Sequence, residues 1–175
     1  MVQIRERDLS ARDLCCLTEA VTERLRGSGA RVMINDRADI AACTGAGVHL
    51  TTRSLTAEVV RAAFGPDILL GVSTHNQEEA DAAERGGADF IVFGPVFETA
   101  SKAEYGDPVG LAALHRVATQ LSIPVIALGG VTLSNFREAL NAGAAGVAGI
   151  SMFVKSPDLG GLVSTIKDWK RGIRD

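Results

Sequence analysis

Short apolar runs alternate with amphipathic stretches from one end of the chain to the other. Residues 2–6 read as a strand. Ser10 with Asp13 makes a helix start, and Leu14, Leu17, Val21 and Leu25 recur on one helical face until Gly27-Ser-Gly29 stops it. Residues 31–36 form the next strand, and a short helix through Ile40 and Cys43 closes at Gly45-Ala-Gly47. Val48-His-Leu50 is a strand, 56–64 a helix and 68–74 a strand, after which Asn76 caps a helix running to Arg85. Residues 89–94 are a strand that opens into the longest loop, about 95–109, before a helix at 110–120. Two more strands, within 123–131 and from Gly146, enclose a helix at about 133–142. A last helix at 158–171 turns Leu162, Ile166 and Trp169 inward.

Strict alternation of strand and helix predicts a parallel α/β fold. Polar residues collect just past the strand ends: Asn35 and Asp36, Thr51 and Arg53, Ser73 and His75, then Lys102, Gly129, Gly130 and Ser151. A doubly wound sheet concentrates its chemistry at one switch point, whereas a TIM-type (β/α) barrel brings every strand end to one mouth. The pattern favours the barrel, in a single domain over 1–175. Seven strands are counted, so the first βα unit of an eight-stranded barrel is missing. The unpaired edges that result, at residues 2–6 and 146–151, are expected to be covered by a second copy in a homodimer, or the chain starts downstream of its natural start.

The stretch 123–153 carries the sharpest chemical signal. Each of its two apolar runs ends on backbone that can approach a ligand closely, Gly129-Gly130 after the first and Gly149-Ile150-Ser151 after the second. Two such turns side by side, with a helix beginning near Ser151, make a phosphate cup of backbone N–H groups. Tight strand-to-helix turns alone would also explain these glycines.

Composition narrows the partners. The chain is 46% hydrophobic with 19 glycines and only 5% aromatic residues, as expected of a parallel core built from small aliphatic side chains. A net charge of −3 without a Lys/Arg cluster argues against nucleic acid or an anionic membrane surface. No apolar run is long enough to span a membrane, and residues 1–7 hold no signal core, which leads to a cytoplasmic expectation. Cys15, Cys16 and Cys43 fit neither a zinc spacing nor a disulfide framework and read as buried structural thiols.

Seven segments in order, Val2-Gln-Ile-Arg-Glu-Arg7, Ile34-Asn-Asp-Arg37, Gly47-Val-His-Leu50, Gly71-Val-Ser-Thr-His75, Gly94-Pro-Val-Phe-Glu-Thr99 with Lys102, Leu128-Gly-Gly130 and Gly149-Ile-Ser151, resemble the thiamine phosphate synthase/TenI family. The resemblance covers essentially the whole chain. It implies a transferase joining hydroxymethylpyrimidine diphosphate to thiazole phosphate, with Mg²⁺ assisting departure of diphosphate. By that pattern Gln3, Arg5 and Arg7 face the pyrimidine diphosphate, with Arg7 standing where the synthase motif normally has Lys. Asn35 and Asp36 contact diphosphate and metal, with Asp36 the metal ligand, while Arg53 adds cationic charge and His75 lines the mouth. Ser73 and Lys102 hold the leaving group, so Arg5, Ser73 and Lys102 form the catalytic set. Thr99 and Ser101 line the thiazole phosphate side, and Gly129, Gly130, Gly149, Ile150 and Ser151 form the cup.

Two departures keep other chemistries open. Ser54 occupies the place of the synthase's second acidic metal ligand, with Arg53 beside it. That gap, with the Ile-Arg-Glu-Arg and Phe-Glu-Thr segments, resembles the metal-free TenI-type aminothiazole tautomerase. The tautomerase histidine, however, is replaced by Pro95, which cannot transfer protons, so His75, His49, Glu98 or Asp36 would have to stand in. A non-catalytic phosphate-binding barrel is the third reading.

Overall fold

The computed structural model describes residues 1–99 and 107–172, in two compact units. The first comprises residues Met1–Thr74 and Asp81–Ile91, the second His75–Ala80 and Val92 onward. The strands follow one another in sequence order, β1 to β7, with parallel registers and no reversal of the kind a doubly wound sheet requires. This is the order of a TIM-type (β/α) fold with seven strands.

The first unit holds β1 (Val2–Ile4), α1 (Ala11–Arg24), β2 (Val32–Asn35), α2 (Ala38–Thr44), β3 (Gly47–Leu50), α3 (Ala57–Phe64) and β4 (Leu70–Thr74). Helix α4 (Gln77–Arg85) and strand β5 (Phe90–Phe93) contribute residues to both units. Val32, Met33, Ile34, Val48, Leu50 and Leu70 are buried, because parallel strands are covered on both faces. Ser10 caps α1 by accepting the Asp13 N–H, and Thr56 caps α3 by accepting that of Val59. Arg61, on α3, ties the turns together: its guanidinium donates to the carbonyls of Gly65, Pro66, Ile68 and Gly87 at 2.7–3.1 Å and pairs with Asp89 at 3.0 Å. Asp89 in turn accepts the Leu70 N–H at 2.6 Å, so one side chain fixes the entry to β4.

The second unit adds α5 (Gly110–Gln120), β6 (Val125–Leu128), α6 (Phe136–Asn141), β7 (Gly146–Ala148), α7 (Ser151–Val154) and α8 (Leu159–Gly172). Its core is Phe93, Val96, Leu114, Val117, Val125, Ala127, Phe136, Ala139 and Leu140. β6 lies in register with β7, Leu128 opposite Ala148.

Several sequence expectations shift. β1 ends at Ile4, so Arg5 and Arg7 lie in the loop beyond it. On α1 the buried line is Leu14 and Thr18, the hydroxyl of Thr18 donating to the Leu14 carbonyl at 2.7 Å; Leu17, Val21 and Leu25 are only half-buried. Helix α6 starts at Phe136, later than expected, because Asn135 folds back to accept the Thr132 N–H at 2.7 Å. Leu162 is buried as expected, but Trp169 is exposed, with the Arg137 guanidinium 4.8 Å over its ring. The cysteines are not core thiols: Cys15 is half-buried, while Cys16 and Cys43 are exposed. The buried faces of these helices are taken by other residues, Leu14 and Thr18 on α1 and Ala38, Ile40 and Ala41 on α2.

Candidate active site

In the first unit, the C-terminal ends of β1 to β4 bring together residues far apart in sequence. Register places Gln3 beside Met33 and Asn35 beside His49, so the last residues of neighbouring strands stand in a row. His49 is buried at the centre of that row. The Gln3 amide nitrogen lies 2.8 Å from His49 Nδ1 and donates to Asn35 Oδ1 at 3.3 Å. With the amide donating, Nδ1 accepts and the neutral ring carries its hydrogen on Nε2. Nε2 lies 3.1 Å from Ser73 Oγ on β4, which therefore accepts and keeps its own hydroxyl hydrogen for another partner.

Asp36 follows β2 with φ 72, a left-handed conformation that aspartate tolerates better than most residues. Its N–H donates to the His49 carbonyl at 3.0 Å, which holds the bend. Ser54 donates its hydroxyl to the Asp36 carboxylate and itself accepts the Thr51 N–H at 2.6 Å. The Thr51–Ser54 turn thus delivers a hydroxyl to the Asp36 carboxylate. Next to it, Arg37 is committed elsewhere, forking onto Asp39 at 2.8 and 2.6 Å. That hydrogen-bonded guanidinium holds the Asp39 carboxyl below the usual carboxylate range. Arg5, Arg7 and Arg53 are exposed and make no ion pair among the described residues, so three guanidiniums remain for an anion.

In the second unit, the register Leu128–Ala148 means that Gly129-Gly130 and Gly149-Ile150 leave the sheet at the same level. The glycines are there for different reasons. Gly129 and Gly130 have φ 94 and 64, and a Cβ on either would run into the segment 95–98, on Pro95 or on the Glu98 carbonyl. Their first duty is to let that segment pass, with Phe97 N–H donating to the Gly129 carbonyl at 3.0 Å. Gly149 has open space where a side chain would stand, its nearest neighbour being Met152 Cβ at 4.0 Å. Ile150 is exposed and precedes α7, whose first N–H groups have no partners within the helix.

His75, expected at the mouth, is held by its own helix: Glu79 accepts both its N–H at 2.8 Å and its Nδ1 at 3.0 Å. Glu79 and Asn76 form a reciprocal cap on α4. Thr99 is half-buried, and Lys102 and Ser101 lie outside the described residues. His49 and Ser54 stand outside the synthase set that the sequence resemblance implies, His49 entering only as a stand-in proton carrier and Ser54 only as a replaced acid. The partners of His49 come from β1 and β4, and no local pattern announces them.

A family model described as thiamine monophosphate synthase matches residues 1–153. The thiamine-phosphate synthase of Chlorobium phaeovibrioides is 46% identical, over 90% of this chain and 76% of that protein. The thiamine-phosphate synthase of Chlorobium luteolum is 45% identical, over 89% of this chain and 74% of that protein. Among solved structures, thiamine phosphate pyrophosphorylase from Pyrococcus furiosus superposes with a TM-score of 0.82 at 30% identity, covering 98% of this chain and 80% of that one.

Proposed function

Because the chain belongs to the thiamine monophosphate synthase family, we propose that it couples hydroxymethylpyrimidine diphosphate to thiazole phosphate and releases diphosphate. The observation that carries this reading is the row Gln3, Asn35, Asp36, His49 and Ser73, with Arg5, Arg7 and Arg53 in the loops that follow β1 and β3, exposed and making no ion pair among the described residues. Its amides and hydroxyl suit phosphate oxygens, and both His49 nitrogens are engaged by Gln3 and Ser73, which suits a reaction whose barrier is charge separation at a leaving group.

As the carbon–oxygen bond of the pyrimidine diphosphate opens, negative charge grows on the departing oxygens. Arg5, Arg7 and Arg53 lower the energy of that charge, more so as the site loses water. Ser73, with its Oγ 3.1 Å from His49 Nε2, offers its hydroxyl hydrogen to a leaving oxygen when the imidazole donates to it. The thiazole nitrogen then captures the pyrimidine cation; within the second unit, the Gly130, Ile150 and Ser151 N–H groups suit a phosphate. Lys102 and Ser101 complete the proposed leaving-group and thiazole-phosphate contacts.

The donor set also bears on Mg²⁺. Among the described residues no three His, Cys, Asp or Glu side chains converge as a metal site. Mg²⁺ takes oxygen ligands, keeps several waters and binds through one or two carboxylates together with substrate phosphates. Asp36, with the Ser54 hydroxyl against it, fits such a cation delivered with its diphosphate. Bound there, the metal would neutralise charge on the leaving diphosphate.

The test is a coupling assay with purified chain, pyrimidine diphosphate, thiazole phosphate and Mg²⁺, following thiamine phosphate. Product that disappears with EDTA and returns with Mg²⁺ is expected. Folded protein that binds thiazole phosphate yet forms no product would sink the proposal.

A further inference from the structure

The cysteines lie apart from the proposed site and have no role in it. Cys15 sits on α1 and Cys43 on α2, 28 residues apart in sequence, yet their sulfurs are 3.6 Å from each other. That is van der Waals contact, and a disulfide needs about 2.05 Å, so each sulfur has to move by only ~0.8 Å. Cys43 is exposed and Cys15 half-buried, so a small reagent can reach the pair. Cys16 is exposed too, but as the next residue on α1 it points about 100° away around the helix and serves as an internal control.

We propose that Cys15 and Cys43 form a dithiol modification site, closed to an intramolecular disulfide by exchange with a small disulfide such as oxidised glutathione. The Cys43 thiolate attacks one glutathione sulfur and expels the other as a thiolate, leaving a mixed disulfide on Cys43. Cys15 loses its proton to solvent and attacks Cys43 Sγ, expelling the second glutathione. Two protein thiols are oxidised and one glutathione disulfide is reduced to two thiols. The order of attack follows from access: Cys43 is exposed and Cys15 half-buried, and the hydrogen bond with Cys43, then burial, raise the Cys15 pKa. The second step is intramolecular between groups already in contact, which favours it over capture by another glutathione.

The experiment treats the full chain with oxidised glutathione and reads free thiols, intact mass and the peptide map. Of three cysteines, one titratable thiol is expected to remain, with loss of two hydrogens and a peptide joining Cys15 to Cys43. Cys16→Ser should close with no thiol left and a raised melting temperature, whereas Cys15→Ser should stop at a glutathione adduct on Cys43. Stable glutathione adducts on the treated native chain without an internal link, or a link that includes Cys16, would overturn the proposal.

Discussion

Ser54 donates its hydroxyl to the carboxylate of Asp36, across 18 residues of sequence. The pair joins the end of β2 to the turn after β3. One carboxylate braced by a hydroxyl binds a hard cation weakly until phosphate oxygens join it. Asp36→Asn keeps a side chain that tolerates φ 72 and removes the charge. It should raise the Mg²⁺ needed for half-maximal turnover by about 10-fold or more, with little change in melting temperature. Ser54→Asp should lower that requirement. Equal Mg²⁺ titration curves for all three proteins would remove Asp36 from metal binding.

His49→Leu keeps much of the bulk of the ring and removes both its nitrogens. Gln3 and Ser73 then lose a buried partner, which should cost about 1–3 kcal/mol by urea denaturation. Turnover should fall further than stability explains, because Ser73 is free to rotate its hydroxyl away from the leaving group. Ser73→Ala should lower kcat with stability nearly unchanged, and the two losses should not add in the double variant.

Gly130→Ala and Gly149→Ala separate packing from ligand contact. At Gly130 the new Cβ meets the Glu98 carbonyl at φ 64, so stability should drop by at least about 1–3 kcal/mol. At Gly149 the space is open, so the fold should be untouched and any effect should appear in KM for thiazole phosphate. A strongly destabilised Gly149→Ala protein would contradict this account.

Arg61→Ala removes donors to four backbone carbonyls and strands Asp89, half-exposed at the entry to β4. A loss of about 2–4 kcal/mol is expected in chemical denaturation. Arg61→Lys should restore only a small part, since one ammonium cannot reach several carbonyls in a fork.

The Arg37–Asp39 pair predicts a pH effect of known sign. Its hydrogen bonds depress the folded carboxyl pKa, so the stabilisation is present above the unfolded value and lost as pH falls through the folded one. Both side chains are largely exposed, which limits the effect to a few tenths of a kcal/mol at ~0.1 M salt. Asp39→Asn should differ slightly from the native chain at pH 7 and not at all at pH 2, by urea denaturation.

Read by itself, the sequence determined the order of elements and the fold class, because strand and helix write different periods into hydrophobic positions and turns need particular residues. It placed Asp36 and the two glycine turns past strand ends for the same reason, while Asn35 and Ser73, expected there too, lie in the last residues of β2 and β4. Tertiary structure decided what those residues touch. Whether His49 orients Ser73, whether Arg37 is free or spent on Asp39, and whether Gly130 serves a ligand or a crossing segment all depend on strands brought together by register. The cysteines make the point most plainly. Hydrophobic habit sent them to the core, but burial is set by which face of a short helix meets the sheet, and that is fixed only when the whole unit packs.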